Sequence, residues 1–174
     1  VGIAIDESNP DRSFLFDAGS VSLGGIDDGE DLRDLQFAPS DPSRAFVLSR
    51  RPPSVLTLQL DERGLAYVEV DEIFEAGAGP SRLAPVEIGG RTFVLASSFD
   101  AQKLFAFDAE VGLVSVLGGF SGPFELVYDA ARQWVYLTDF TTSQIRIIDV
   151  EPLVRPQPEP PALLATLGEV VAAG

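Results

Sequence analysis

Apolar residues in this chain come in short runs rich in β-branched and aromatic side chains, each bounded by turn-forming residues. AFVLS (45–49), TFVLAS (92–97) and WVYLT (134–138) are the clearest. SDPS (40–43), IGGR (88–91) and DAAR (129–132) precede them and read as hairpin turns. Apolar segments lie upstream of each turn: LQF (35–37), LAPV (83–86) and LVY (126–128). Downstream of each run follow VLTLQL (55–60), LFAF (104–107) and IRII (145–148), each closed by an aspartate, then LAYVEV (65–70), LVSVLG (113–118) and LLATL (163–167). The pattern predicts an all-β chain of three units, each with strands a, b, c and d.

The closing aspartates, Asp61, Asp108 and Asp149, are spaced by 47 and 41 residues. A period in the forties with strands in every unit is that of β-propeller blades. GIAID (2–6) aligns as a further strand c, with FLFDAG or VSLGG (14–25) supplying strand d. The predicted organisation is therefore a half blade at 1–30, whole blades at 31–78 and 79–121, and a last blade at 122–174. That last blade carries a proline-rich c–d loop at 151–161, since proline cannot pair in a central strand. Closed propellers have about 4–8 blades. The expectation is about half of a seven-bladed ring, completed by another polypeptide segment or chain.

Composition narrows the chemistry. The chain has 174 residues, 45% of them hydrophobic, and no cysteine, histidine or methionine. Disulfides, thiolate nucleophiles, histidine bases and His-ligated zinc are excluded. Val1 and the missing methionine suggest a piece of a longer precursor. No apolar run is long enough for a transmembrane helix. A net charge of −15 argues against nucleic acid and anionic membranes. Lys103 is the only lysine, a bias compatible with salt adaptation or simply with an acidic, soluble surface.

The aspartates that close strand c recur once per blade and read as acceptors of local backbone hydrogen bonds rather than as metal ligands. DESNPD (6–11) and DDGED (27–31) lack EF-hand spacing, so calcium is not favoured and no cofactor is expected. In a propeller the d–a and b–c loops share one end of the ring. Here they carry Arg33, Arg50, Arg51, Arg82, Phe99, Asp100, Glu125, Asp139 and Phe140. Arginine with aromatic residues is the composition of binding hot spots, and a guanidinium grips carboxylate or phosphate bidentately. Trp134, at the start of a strand b, reads as blade packing.

The openings GPSRL (79–83) and GPFEL (122–126), with FVLAS, WVYLTDF and QIRIIDV, resemble the YVTN-type, surface-layer-like seven-bladed propeller repeats over residues 31–150. The first unit opens with GEDLRDL (29–35) and lacks the Gly-Pro pair. The resemblance implies the fold, and a family that includes surface proteins, binding modules and scaffolds. The resulting expectation is a non-enzymatic binding or scaffold module of an exported or cell-surface protein. The alternatives are a glycosidase-like hydrolase using Asp100, Glu125 and Asp139, or a ligand-free component of a large assembly.

Overall fold

The computed structural model describes residues 2–4, 14–16, 31–60, 67–155 and 163–167. Asp61, residues 6–11 and 27–30, and the C-terminal residues 168–174 lie outside them.

Two short strands, β1 (Gly2–Ala4) and β2 (Phe14–Phe16), pair antiparallel. Three four-stranded antiparallel sheets follow, each a simple meander. The first contains β3 (Leu32–Phe37), β4 (Arg44–Arg50), β5 (Pro53–Leu60) and β6 (Tyr67–Glu75). In the second are β7 (Pro80–Ile88), β8 (Arg91–Ser98), β9 (Lys103–Asp108) and β10 (Gly112–Leu117). The third holds β11 (Pro123–Asp129), β12 (Trp134–Asp139), β13 (Gln144–Asp149) and β14 (Leu163–Leu167). The first strands, β3, β7 and β11, lie beside one another, so the sheets stack as blades around a common inner edge. This is a partial β-propeller.

The three a–b hairpins close with different chemistry. Gly89 and Gly90 form a two-residue turn with φ of 61° and 76°, the left-handed pair such a turn demands. In the first sheet the Asp41 carboxylate accepts from the Ser43 amide at 3.0 Å. In the third, Asp129 accepts from the amides of Ala131 and Arg132 at 3.0 and 3.2 Å. Hydrogen bonds from Ser43 and from Arg132 hold these two carboxyls below the ordinary carboxylate range.

Two apolar layers hold the sheets together. Phe46, Leu48 and Val55 of the first sheet meet Leu83, Val94, Ala96 and Phe107 of the second. Val86, Phe93, Leu95 and Leu104 of the second meet Leu126, Val135, Leu137 and Ile148 of the third. The second layer includes a helical turn, α1 (Val150–Val154), where the proline-rich loop was expected. Asp149 caps it by accepting from the Glu151 amide at 3.1 Å. Pro152 sits in the first turn, where no intrahelical donor is needed. Its own Val150, Leu153 and Val154 are buried. The turn forms because Val150, Leu153 and Val154 plug the end of the layer, and Pro152 is placed where a helix tolerates it. The neighbouring aspartate Asp108 is buried, pairs with Arg91, and accepts from the amides of Glu110 and Val111 at 2.8 and 3.1 Å.

Candidate functional site

Register makes the loop-end residues equivalent from blade to blade. Leu35, Leu83 and Leu126 lie opposite Val47, Ala96 and Leu137 on the inner strands. One residue earlier stand Asp34, Arg82 and Glu125, and two residues earlier Arg33, Ser81 and Phe124. Strand b ends in Ser49, Ser98 and Asp139, all buried, and the next residue is Arg50, Phe99 or Phe140. The same backbone bond fastens each of these to the loop that enters its blade. The amides of Arg50, Phe99 and Phe140 donate to the carbonyls of Asp31, Gly79 and Gly122 at 2.8, 2.9 and 2.8 Å. One structural device thus holds three different side chains in one ring of positions.

Polar bonds between blades lock the inner strands. The Leu83 amide donates to the Asp34 carboxylate at 2.8 Å. Buried Ser97 accepts from the Arg82 amide at 3.2 Å and donates to the Phe124 carbonyl at 2.6 Å. Arg82 is held on three sides. Its Nε donates to Glu125 at 3.1 Å, one Nη donates to the Ser81 carbonyl at 2.8 Å, and the guanidinium lies 4.9 Å from the Phe124 ring centre.

These residues surround a cavity of about 300 Å³, lined by Arg33, Arg50, Arg82, Asp100, Phe99 and Phe124 with the Gly79–Ser81 backbone segment between them. Each arginine has an acidic neighbour. Arg33 meets Asp31 at 2.5 Å, Arg50 meets Asp100 at 3.4 Å and Asp31 at 3.9 Å, and Arg82 meets Glu125. The pocket is therefore nearly neutral on a strongly acidic chain, and an anion meets less repulsion here than over an acidic surface. Gly79 adopts φ of 64°, and a Cβ there would collide with the Asp100 carboxylate. The missing side chain lets the carboxylate lie against the backbone.

Of the nine candidate residues, Arg33, Arg50, Arg82, Phe99 and Asp100 line the cavity. Glu125 reaches it through Arg82. Phe140 is exposed, with its ring 6.4 Å from Phe99 and 6.3 Å from Phe124. Arg51 is exposed and does not line the cavity. Asp139 is buried, accepts from the Ser121 amide at 3.0 Å and lies 3.7 Å from Arg146, so it supports the loop from below. Gly79, Pro80, Ser81 and Phe124 were not among the candidates. The repeated Gly-Pro openings were the signal that could have found them. Among the described residues no group of three or more acidic side chains could hold a metal, and no helix is long and apolar enough to cross a membrane.

No protein-family model and no curated protein matches the chain. Solved structures do match. One, from Bacteroides fragilis and provisionally assigned as a 6-phosphogluconolactonase, has 14% identity and a TM-score of 0.63 over 79% of this chain and 39% of its own. The periplasmic gluconolactonase of Pseudomonas aeruginosa has 17% identity and a TM-score of 0.59 over 79% of this chain and 40% of its own. A second provisional 6-phosphogluconolactonase, from Bacteroides uniformis, has 13% identity and a TM-score of 0.62 over 94% of this chain and 50% of its own. At these identities the likeness establishes the fold, and the chain spans two-fifths to one-half of the length of these neighbours. It also corrects the expectation of a non-enzymatic scaffold, because neighbours of this fold carry lactonase assignments. The lack of histidine and cysteine pointed away from an enzyme, yet arginine and carboxylate side chains alone can supply charge stabilisation and proton transfer.

Proposed function

We propose that this chain forms part of a propeller hydrolase of the lactonase type, which opens the ring of an anionic sugar lactone in the Arg33–Arg50–Arg82 pocket. The observation that carries the reading is the convergence of three arginines, Asp100 and two phenylalanines on one cavity. The arginines suit the anionic group and the carbonyl oxygen of such a substrate. Phe99 and Phe124 offer apolar walls to the sugar ring. Asp100 is the general base. It takes a proton from water as the water oxygen bonds to the lactone carbonyl carbon, and a guanidinium stabilises the oxyanion. The bond from carbonyl carbon to ring oxygen then breaks, and the ring oxygen takes the proton back from Asp100, leaving the open hydroxy acid. This step draws on side chains alone. Placing the chain among YVTN-type repeats rests on its GPSRL and GPFEL openings, and an exported setting on its cysteine-free composition and the periplasmic Pseudomonas neighbour.

The test is a pH-stat assay with gluconolactone and 6-phosphogluconolactone. The protein is expected to accelerate ring opening above the spontaneous rate. Asp100→Asn should lower kcat by about 100-fold or more, and Arg82→Ala should weaken substrate binding. Asp41→Asn, in a distant hairpin, should change neither. No acceleration by the unaltered protein, or full activity in Asp100→Asn, would overturn the reading.

A further inference from the structure

The positions around the mouth of the pocket are equivalent from blade to blade, but their chemistry changes in one direction. Just after strand b they run Arg50, Phe99, Phe140, and near the start of strand a they run Arg33, Ser81, Phe124. The first blade thus contributes cations and the third contributes phenyl rings. Phe140 does not line the cavity, yet its ring centre stands 6.4 Å from that of Phe99 and 6.3 Å from that of Phe124, which do. The three rings form one apolar surface that starts inside the cavity and continues out of it. Phe140 is 71% exposed and Phe124 37%. Backbone contacts hold this surface in place. A Cβ at Gly122 would stand 2.9 Å from the Phe99 ring, and the carbonyl of the same glycine accepts from the Phe140 amide. Polar groups border the rings, since Arg82 stacks over Phe124 and is tied to Glu125.

We infer that Phe99, Phe124 and Phe140 form a second sugar subsite, so that the pocket takes the lactone of an acidic disaccharide, or the acid that it yields. The anionic end lies at Arg33 and Arg50, and a further pyranose ring lies on the phenylalanines. The inference rests on the reading of the cavity as the seat of a sugar lactone, and adds the length and direction of that ligand. A cavity of about 300 Å³ is at the small end of ligand sites. It has room for one sugar ring, with Phe140 left outside. A pyranose presents C–H bonds on its faces and hydroxyls around its edge. The faces suit phenyl rings, and the hydroxyls suit the charged groups of Arg82, Glu125 and Asp100. An alkyl chain on the same surface would desolvate those groups without offering them a hydrogen bond. Phe140 is tilted by 57° to Phe99 and by 49° to Phe124, so the rings shape a shallow trough rather than a slot for a flat aromatic ligand.

Equilibrium binding of gluconate and of cellobionate, which is gluconate bearing one glucose ring, tests this without turnover. Titration calorimetry of the unaltered protein is expected to give cellobionate about 10-fold the affinity of gluconate. Phe140→Ala should bring that ratio close to one. Phe140→Leu, which keeps apolar bulk but loses the ring face, should lower it as well. Arg33→Ala should weaken both acids alike and leave the ratio unchanged, because it acts at the other end of the ligand. Phe37→Ala, an exposed phenylalanine at the hairpin end of β3, should change neither affinity. No binding of either acid, equal affinities in the unaltered protein, a ratio that survives either Phe140 substitution, or decanoate bound as tightly as cellobionate would each overturn the inference. The two readings fail separately. Catalysed opening of gluconolactone with a ratio of one removes the second subsite alone. A preference for cellobionate without any ring opening removes the hydrolase reading alone.

Discussion

Single residues here act mainly through backbone geometry. The hairpin at Gly89–Gly90 needs two left-handed residues, and a Cβ at either would meet nothing within 4 Å. Gly90→Ala therefore adds conformational strain without a clash. It should lower stability by about 1–2 kcal/mol, measured by urea unfolding. Gly118→Ala, which also has open space but no positive φ, should be neutral to slightly stabilising. Equal losses in both would refute the assignment of the cost to φ. The double glycine in IGGR was readable as a turn from composition, because few other residues tolerate that geometry. The close approach of Asp100 to Gly79, which only a residue without a Cβ allows, was not readable, since the two residues belong to different loops.

At the scale of elements, strand identity was legible because apolar runs and turn residues alternate with a regular period. All twelve strands expected in the three whole units have counterparts in the sheets. The helical turn α1 escaped because five residues before a proline cluster carry too little periodicity to signal a helix. It exists through burial. Leu153 is fully buried in the layer between the second and third sheets. Leu153→Ala should cost about 2–5 kcal/mol by leaving a cavity, seen as a lower melting temperature in calorimetry. Arg155→Ala, which removes only an exposed ion pair with Glu151, should cost under about 1 kcal/mol. A small loss in Leu153→Ala would show that the turn merely decorates the layer.

For the molecule as a whole, charge and the stacking of blades dominate. With 27 acidic against 12 basic residues, repulsion among like charges outweighs the surface ion pairs. Raising potassium chloride from 0.05 to 1 M should screen that repulsion and raise the melting temperature, by about 2–4 °C per kcal/mol relieved. A falling melting temperature would mean that the ion pairs at Arg33, Arg50, Arg82 and Arg132 matter more than the excess charge. Strand order, blade count and the composition of the loop end follow from local pattern, because each depends on residues close in the chain. The pocket does not. Arg33, Arg50, Arg82 and Asp100 come from four separate stretches, and only blade stacking sets them around one cavity. Asp139 shows the same limit in reverse. It looked like a loop carboxylate beside Phe140, yet the packing of its blade buries it. Local pattern specified which strands form and where they turn, while stacking of blades against one another chose which charged residues face a ligand and which serve the core.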